Sequence, residues 1–187
     1  MKIERKEYSA LQPQMEAKKL IFIDESSSNT GMTRQYCLAL GGKRVVDYAP
    51  DIRFERITML SSVSASGEIV PCIFEGSLNG EIFIEYITKF LVPTLKPGDI
   101  VVMDNLSSHK VKGVAEAINA VGAEVLYLPR YSPDLNPIEM MWSKIKAYLR
   151  KVKARTKELL EKEIANALNS VTKKDIVGWF RECKYTI

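Results

Sequence analysis

Two four-residue apolar bursts, Leu20-Ile21-Phe22-Ile23 and Ile100-Val101-Val102-Met103, each run straight into an aspartate, Asp24 and Asp104. Apolar runs this short, bounded by loop-forming residues, fit buried strands better than helices. Glu25-Ser26-Ser27-Ser28-Asn29 follows the first burst, so the pattern predicts a strand over 20–23 and then a loop. A third short strand is expected over Glu124 to Leu128. Gly80 to Leu95 places Ile82, Phe83, Tyr86, Ile87 and Phe90 at helical spacing and stops at Lys96-Pro97-Gly98-Asp99. Lys110 to Val121 reads as a second helix, with Gly122 as its C-terminal stop. A helix crossing between two strands makes them parallel neighbours, so the strands near 20, 100 and 124 are expected to form a parallel core.

Turn signals extend that core with antiparallel strands. Gln35 to Leu40 and Lys43 to Tyr48 flank Gly41-Gly42, and Arg56 to Ser64 and Glu68 to Phe74 flank Ala65-Ser66-Gly67, which predicts two hairpins. Gly76-Ser77-Leu78-Asn79-Gly80 is given turn and capping duty. From Pro137 onward the chain is helical, with breaks near Thr156 and near Ser170 to Thr172. The expected fold is therefore α/β: a mixed sheet of antiparallel hairpins and parallel core strands, flanked by helices, over residues 20–187. Residues 1–19 are polar and read as an N-terminal extension. In such sheets, sites form at the carboxyl ends of the parallel strands, where Asp24 and Asp104 stand.

Composition narrows the class. The 187 residues are 46% hydrophobic and 27% charged, ordinary for one globular domain. No apolar run approaches the ~18 residues of a membrane span, and the charged N-terminal stretch is unlike a signal peptide. A cytoplasmic protein with no membrane partner is the expectation. Cys37, Cys72 and Cys183 are odd in number and lack CxxC spacing, which argues against disulfides or a zinc cluster and for buried or inert thiols.

The net charge of +4 is unevenly placed. Lys144, Lys146, Arg150, Lys151, Lys153, Arg155 and Lys157 put seven cations in fourteen residues without an acid, and the rest of the chain sums to −3. One basic segment on an otherwise acidic chain suits a polyanion such as nucleic acid, although a run like this also serves as an ordinary solvated face. Positions 139, 143, 146, 150, 153 and 157 share one helical face and read Glu, Ser, Lys, Arg, Lys, Lys. Ile138, Met141, Ile145, Leu149 and Val152 form the opposite, apolar stripe, and Trp142 between them is assigned to the core.

Two carboxylates at adjacent strand ends repel unless a cation neutralises them, and hard divalent ions prefer such oxygen donors. A third acid, Glu139, begins the basic face. It also fits a capping box, with Asn136 as N-cap and Pro137 at the first helical position, so spacing alone favours the cap, and the basic face that begins at Glu139 tilts the balance toward a site.

Three ordered blocks resemble the catalytic motifs of mariner-superfamily DDE transposases, most of all the bacterial insertion-sequence branch. They are Ile21-Phe22-Ile23-Asp24-Glu25-Ser26, the run from Val101 to Lys110 through Asp104-Asn105 and His109, and the run from Leu128 to Glu139 through Tyr131-Ser132-Pro133-Asp134-Leu135-Asn136-Pro137. The 34 residues between Asp104 and Glu139 match the family's spacing, and the likeness covers roughly residues 20 to 183. The resemblance implies a ribonuclease-H-like fold and two Mg²⁺ or Mn²⁺ ions held by Asp24, Asp104 and Glu139. It further implies hydrolysis of a phosphodiester at transposon ends, then attack of the freed 3′-hydroxyl on target DNA. Asn105 and His109 would be accessory to that site, and Arg130 would contact DNA with the basic segment.

Only 23 residues precede Asp24, whereas complete family members carry helix-turn-helix modules before the catalytic domain. The resemblance therefore implies a catalytic domain whose DNA-binding module comes from a separate or frameshift-joined product. It also implies a homodimer on double-stranded DNA and a nucleoid-associated location. The competing readings are a catalytically silent DNA-binding remnant of a mobile element, and a ribonuclease acting on hybrids with the same fold.

Overall fold

The computed structural model describes residues 2–51 and 54–187. Five strands, β1 (Leu20–Asn29), β2 (Arg56–Ser64), β3 (Ile69–Glu75), β4 (Ile100–Met103) and β5 (Glu124–Tyr127), form one sheet in the order β3-β2-β1-β4-β5. β1 is antiparallel to β2, from Ile21↔Ser64 to Asn29↔Arg56, and parallel to β4 over Leu20↔Ile100 to Phe22↔Val102. β4 is in turn parallel to β5. The predicted parallel core is present, and the hairpin at Ala65-Ser66-Gly67 extends its β1 edge through β2 and β3, with Gly67 at φ 99° in the turn.

Successive strand residues point to opposite faces, and the apolar residues divide accordingly. Leu20, Phe22, Ile57 and Met59 pack under α4 (Pro137–Val152), α5 (Lys157–Asn169) and α6 (Lys173–Glu182), together with Ile138, Met141, Trp142, Ile145 and Leu149 of α4. Ile21, Ile23, Leu60, Val101 and Met103 face the other layer, which contains Phe83 and Tyr86 of α2 (Gly80–Tyr86) and Val114 and Ile118 of α3 (Val114–Asn119). Trp142 is buried, as its core assignment required. Asn79 caps α2 through its side-chain oxygen, which accepts from the Ile82 amide at 2.9 Å.

Three local expectations need correcting. The loop predicted after Ile23 is strand: β1 continues to Asn29 because β2 supplies a ladder partner for every residue, and tertiary pairing overrides the turn preference of serines. The hairpin predicted around Gly41-Gly42 has the turn but not the strands. Both glycines have positive φ, while Tyr36, Leu38, Leu40, Val46 and Tyr48 are exposed and pair with nothing in the sheet. An isolated two-stranded ribbon with no face to bury is marginal in water. The helix predicted from Lys110 starts only at Val114, after a short turn over Ser107–Lys110, because Gly113 is left-handed at φ 100°. Of the three free cysteines, Cys37 is exposed, Cys72 half-buried and Cys183 buried.

The stretch read as an extension packs against the helical layer. Tyr8, Gln12 and Ala17, in and after α1 (Lys2–Leu11), are buried. The Tyr8 hydroxyl lies 2.8 Å from that of Tyr185, which donates to the Leu135 carbonyl at 2.8 Å. Gln12 donates to the Cys183 carbonyl, and Arg5 pairs with Asp134. The two ends of the chain thus hold the loop that leads to Glu139. No helix among the described residues is long and apolar enough to cross a membrane.

Tyr185→Phe leaves the buried Tyr8 hydroxyl and the Leu135 carbonyl short of a partner, which costs about 1–3 kcal/mol. Urea titration should show a lower midpoint with the slope retained. An unchanged midpoint would mean that these hydroxyls do not brace the loop.

Candidate active site

The parallel register sets the two aspartates side by side. Two residues beyond the Phe22↔Val102 pair, the same register brings Asp24 opposite Asp104, just past the end of β4. Phe22 and Val102 both face the α4 layer, so by alternation Asp24 and Asp104 face it as well. Glu139 sits in the first turn of α4, the helix packed on that face. A cleft of about 570 Å³ collects Asp24, Asp104 and Glu139, with Asn105, Arg130 and Asn136 among its other walls.

The cleft is electrostatically crowded. Asp24 is 8% exposed, and burial together with Glu139, Glu25 and Asp104 pushes its carboxyl well above the usual range. Burial likewise raises Glu139, with Asp104 and Glu25 adding to it and Lys146 opposing. Asp104 behaves differently. Burial acts to raise it, but contacts with His109 and the Leu106 amide outweigh that and hold it below its ordinary value.

His109, the only histidine, is fully buried on the other side of the strand ends and stacked on Phe83 with ring centroids 4.3 Å apart. Its Nδ1 lies 2.7 Å from Asp104 Oδ1, and its Nε2 lies 3.2 Å from Glu25 Oε2. Burial disfavours the imidazolium, yet the two carboxylates overcome this and push its pKa up to about 9. Glu25 escaped the sequence reading because it was placed in a loop. In a strand it alternates with Asp24 and faces the α2 layer, where His109 lies.

The capping box predicted at Glu139 is not made. Asn136 and Pro137 hold the expected N-cap and first positions, but the Asn136 side chain accepts no helix amide, and its Oδ1 is buried without a partner. Asn136 is 4% exposed and lines the cleft, where the sequence assigns it to capping alone. The Asn105 side chain donates to the Leu128 carbonyl, tying the segment after β4 to the segment after β5. Arg130 is exposed at the rim beside Tyr131, whose backbone is left-handed at φ 56°.

The basic segment divides into two groups. α4 ends at Val152 and Lys153 adopts a left-handed conformation, so Lys153 and Lys157 leave the helical face expected to carry them. Lys144 pairs with Asp175 at 2.7 Å, Lys153 with Asp47, and Lys157 with Glu75; Arg155 donates to the carbonyls of Thr30 and Met32. Lys146, Arg150 and Lys151 form no ion pair among the described residues.

The donors are carboxylate oxygens, the set that hard divalent cations take, and the raised Asp24 and Glu139 carboxyls are a like-charge strain such an ion relieves. Among the described residues no three histidine, cysteine or acidic side chains already stand close enough to hold an ion.

A raised histidine pKa stabilises the fold below the unfolded value near 6.5, and that contribution is lost as pH rises through about 9. In EDTA, the single imidazole NMR signal should titrate near pH 9, with stability falling between roughly pH 6.5 and 9. A midpoint at or below 6.5 would show that the two ion pairs are not formed.

Comparison with known proteins agrees with this geometry. Residues 19–161 match the family model described as DDE superfamily endonuclease. No curated protein sequence matches. Among solved structures, the Mos1 transposase paired-end complex with left transposon end superposes with a TM-score of 0.72 at 14% identity, covering 97% of this chain and 56% of that one. The mariner Mos1 paired-end complex with Mg gives 0.68 at 17% identity, covering 98% and 56%. The catalytic domain of Mos1 mariner transposase gives 0.62 at 14%, covering 97% and 83%. This chain therefore spans little more than half of the transposase in those complexes and most of its catalytic domain. These likenesses show a ribonuclease-H-like fold, and the family match over most of the length shows that the chain belongs to the DDE superfamily of endonucleases.

Proposed function

We propose that this chain is the catalytic domain of a mariner-superfamily DNA transposase of the bacterial insertion-sequence branch. It hydrolyses a phosphodiester at transposon ends and then joins the freed 3′-hydroxyl to target DNA. The observation that carries this reading is the meeting of Asp24, Asp104 and Glu139, from three separate blocks, in one cleft with Arg130 at its rim. The Mos1 structures with a transposon end and with Mg support it.

Asp24, Asp104 and Glu139 would hold two Mg²⁺ or Mn²⁺ ions, which when bound lower the pKa of an attacking water or hydroxyl and stabilise the leaving oxygen. His109 fixes one oxygen of Asp104 and leaves the other for the cleft. Its second contact keeps Glu25 turned away from the reacting phosphate. Asn105 holds the two strand ends at a set spacing. Arg130 reaches non-bridging phosphate oxygens from the rim, and Lys146, Arg150 and Lys151 carry the duplex beyond it. Joining two ends calls for a homodimer on DNA, in the cytoplasm at the nucleoid.

Asp24→Asn, Asp104→Asn and Glu139→Gln should each abolish Mg²⁺- or Mn²⁺-dependent nicking of supercoiled plasmid while DNA binding persists. Robust nicking by Glu139→Gln would remove that residue from the reaction and the three-acid mechanism with it.

An acid whose folded pKa is raised weakens the fold once pH rises through the window above its unfolded value. Asp24→Asn removes that burden at pH 7. Its melting temperature in EDTA should therefore equal or exceed that of the native chain, whereas added Mn²⁺ should stabilise only the native chain. A lower melting temperature for Asp24→Asn in EDTA would show that the charge is not strained.

A further inference from the structure

Past Asp24 the sheet becomes lopsided. β1 pairs with β4 only as far as Phe22, so its last residues pair with β2 alone and leave their other edge open. A second pocket of about 370 Å³ opens on that extension, and Glu25, Ser26, Ser27, Arg56, Ser77 and Lys146 line it. Arg56 comes from β2 and Lys146 from α4, so two separate elements aim cations at one space.

We infer that this pocket binds a backbone phosphate of the DNA strand whose scissile phosphate lies in the acid cleft, a reading that rests on the proposed transposase function. Neither Arg56 nor Lys146 forms an ion pair among the described residues, unlike Lys144, Lys153 and Lys157, whose charges are matched within the fold. The hydroxyls of Ser26, Ser27 and Ser77 make no hydrogen bond among the described residues and are available as donors. Glu25 is the one acid in the wall, and its carboxylate is matched by His109 behind it, with 3.2 Å between Oε2 and Nε2. Unpaired guanidinium and ammonium groups beside free hydroxyls suit a phosphodiester, which offers two non-bridging oxygens to such donors.

Position supports the same occupant. Ser27 lies three residues beyond Asp24, about 10 Å along an extended strand at ~3.3 Å per residue. Phosphates advance ~3.4 Å per nucleotide along the DNA axis and also wind around it, so a phosphate within the first nucleotides from the cut lies at that range. Lys146 is close enough to act on Glu139, which links the pocket to the cleft.

The test uses the full chain, a labelled duplex and a salt titration in EDTA. Arg56→Gln and Lys146→Gln should each reduce the slope of log K against log salt in part, and the double variant by about 0.9, the share of the one phosphate that the two cations hold. Arg56→Lys should recover most of the slope, and melting temperatures should show that the variants fold. An unchanged slope in the folded double variant overturns the assignment. So does protection of the native chain by millimolar inorganic phosphate with no change in the DNA slope, which would mark a site for a free anion. Plasmid nicking by the native chain in Mn²⁺ is measured alongside. Nicking with an unchanged slope rejects the pocket alone, and a reduced slope without nicking supports the pocket while rejecting the transposase reading.

Discussion

The pairing of β1 with β4 governs the rest of the site, because it is parallel and because its register places Asp24 and Asp104 at the same end of neighbouring strands. Had the two strands run antiparallel, their carboxyl ends would lie at opposite edges of the sheet, about 13 Å apart over the four residues of β4. No metal-sized site could then form between them. The helical crossover through α2 enforces the parallel sense, and the same alternation that buries Phe22 and Val102 turns both aspartates toward α4. Glu139 completes the group because α4 buries Ile138 and Met141 on that face and so presents its first turn to the strand ends.

This arrangement works against stability in the metal-free protein. Asp24, Glu25, Asp104 and Glu139 influence one another's charge within a partly buried space, and His109 compensates only two of them. The asymmetry has chemical meaning. Asp104 is held ionised by the neighbouring His109, whereas Asp24 and Glu139 stay strained until something else supplies positive charge. Perturbed carboxyls of this kind, gathered in a cleft, are the mark of a site shaped for chemistry more than for folding.

Positive charge is also divided between two uses. Lys144, Lys153, Arg155 and Lys157 dock α4 and α5 onto α6, the 30–32 loop and the strand edge, so a segment that reads as one continuous basic track is in large part internal fastening. The left-handed residue at Lys153 ends the helix and breaks the stripe. What is left unpaired, Lys146, Arg150 and Lys151 with Arg56 from the sheet, is a smaller set than the seven-cation run suggests.

Sequence by itself determined the elements whose signals are local: the apolar bursts ending at Asp24 and Asp104, the turn at Ala65-Ser66-Gly67, the starts of the last three helices, and the three blocks carrying the acids. Each of these depends on backbone preference or periodicity within a dozen residues. Tertiary structure alone decided the features that need a distant partner. β1 runs on to Asn29 because β2 lies beside it, while Gly41-Gly42 makes its turn without strands because no surface covers the flanking residues. Glu25 reaches His109 only because the strand continues, and Asn136 stays uncapped at a cleft wall that capping rules would have satisfied locally. Residue type states which charges a chain carries. Only the folded arrangement settles which of them neutralise each other, because Coulomb energy depends on separations set by contacts dozens of residues apart.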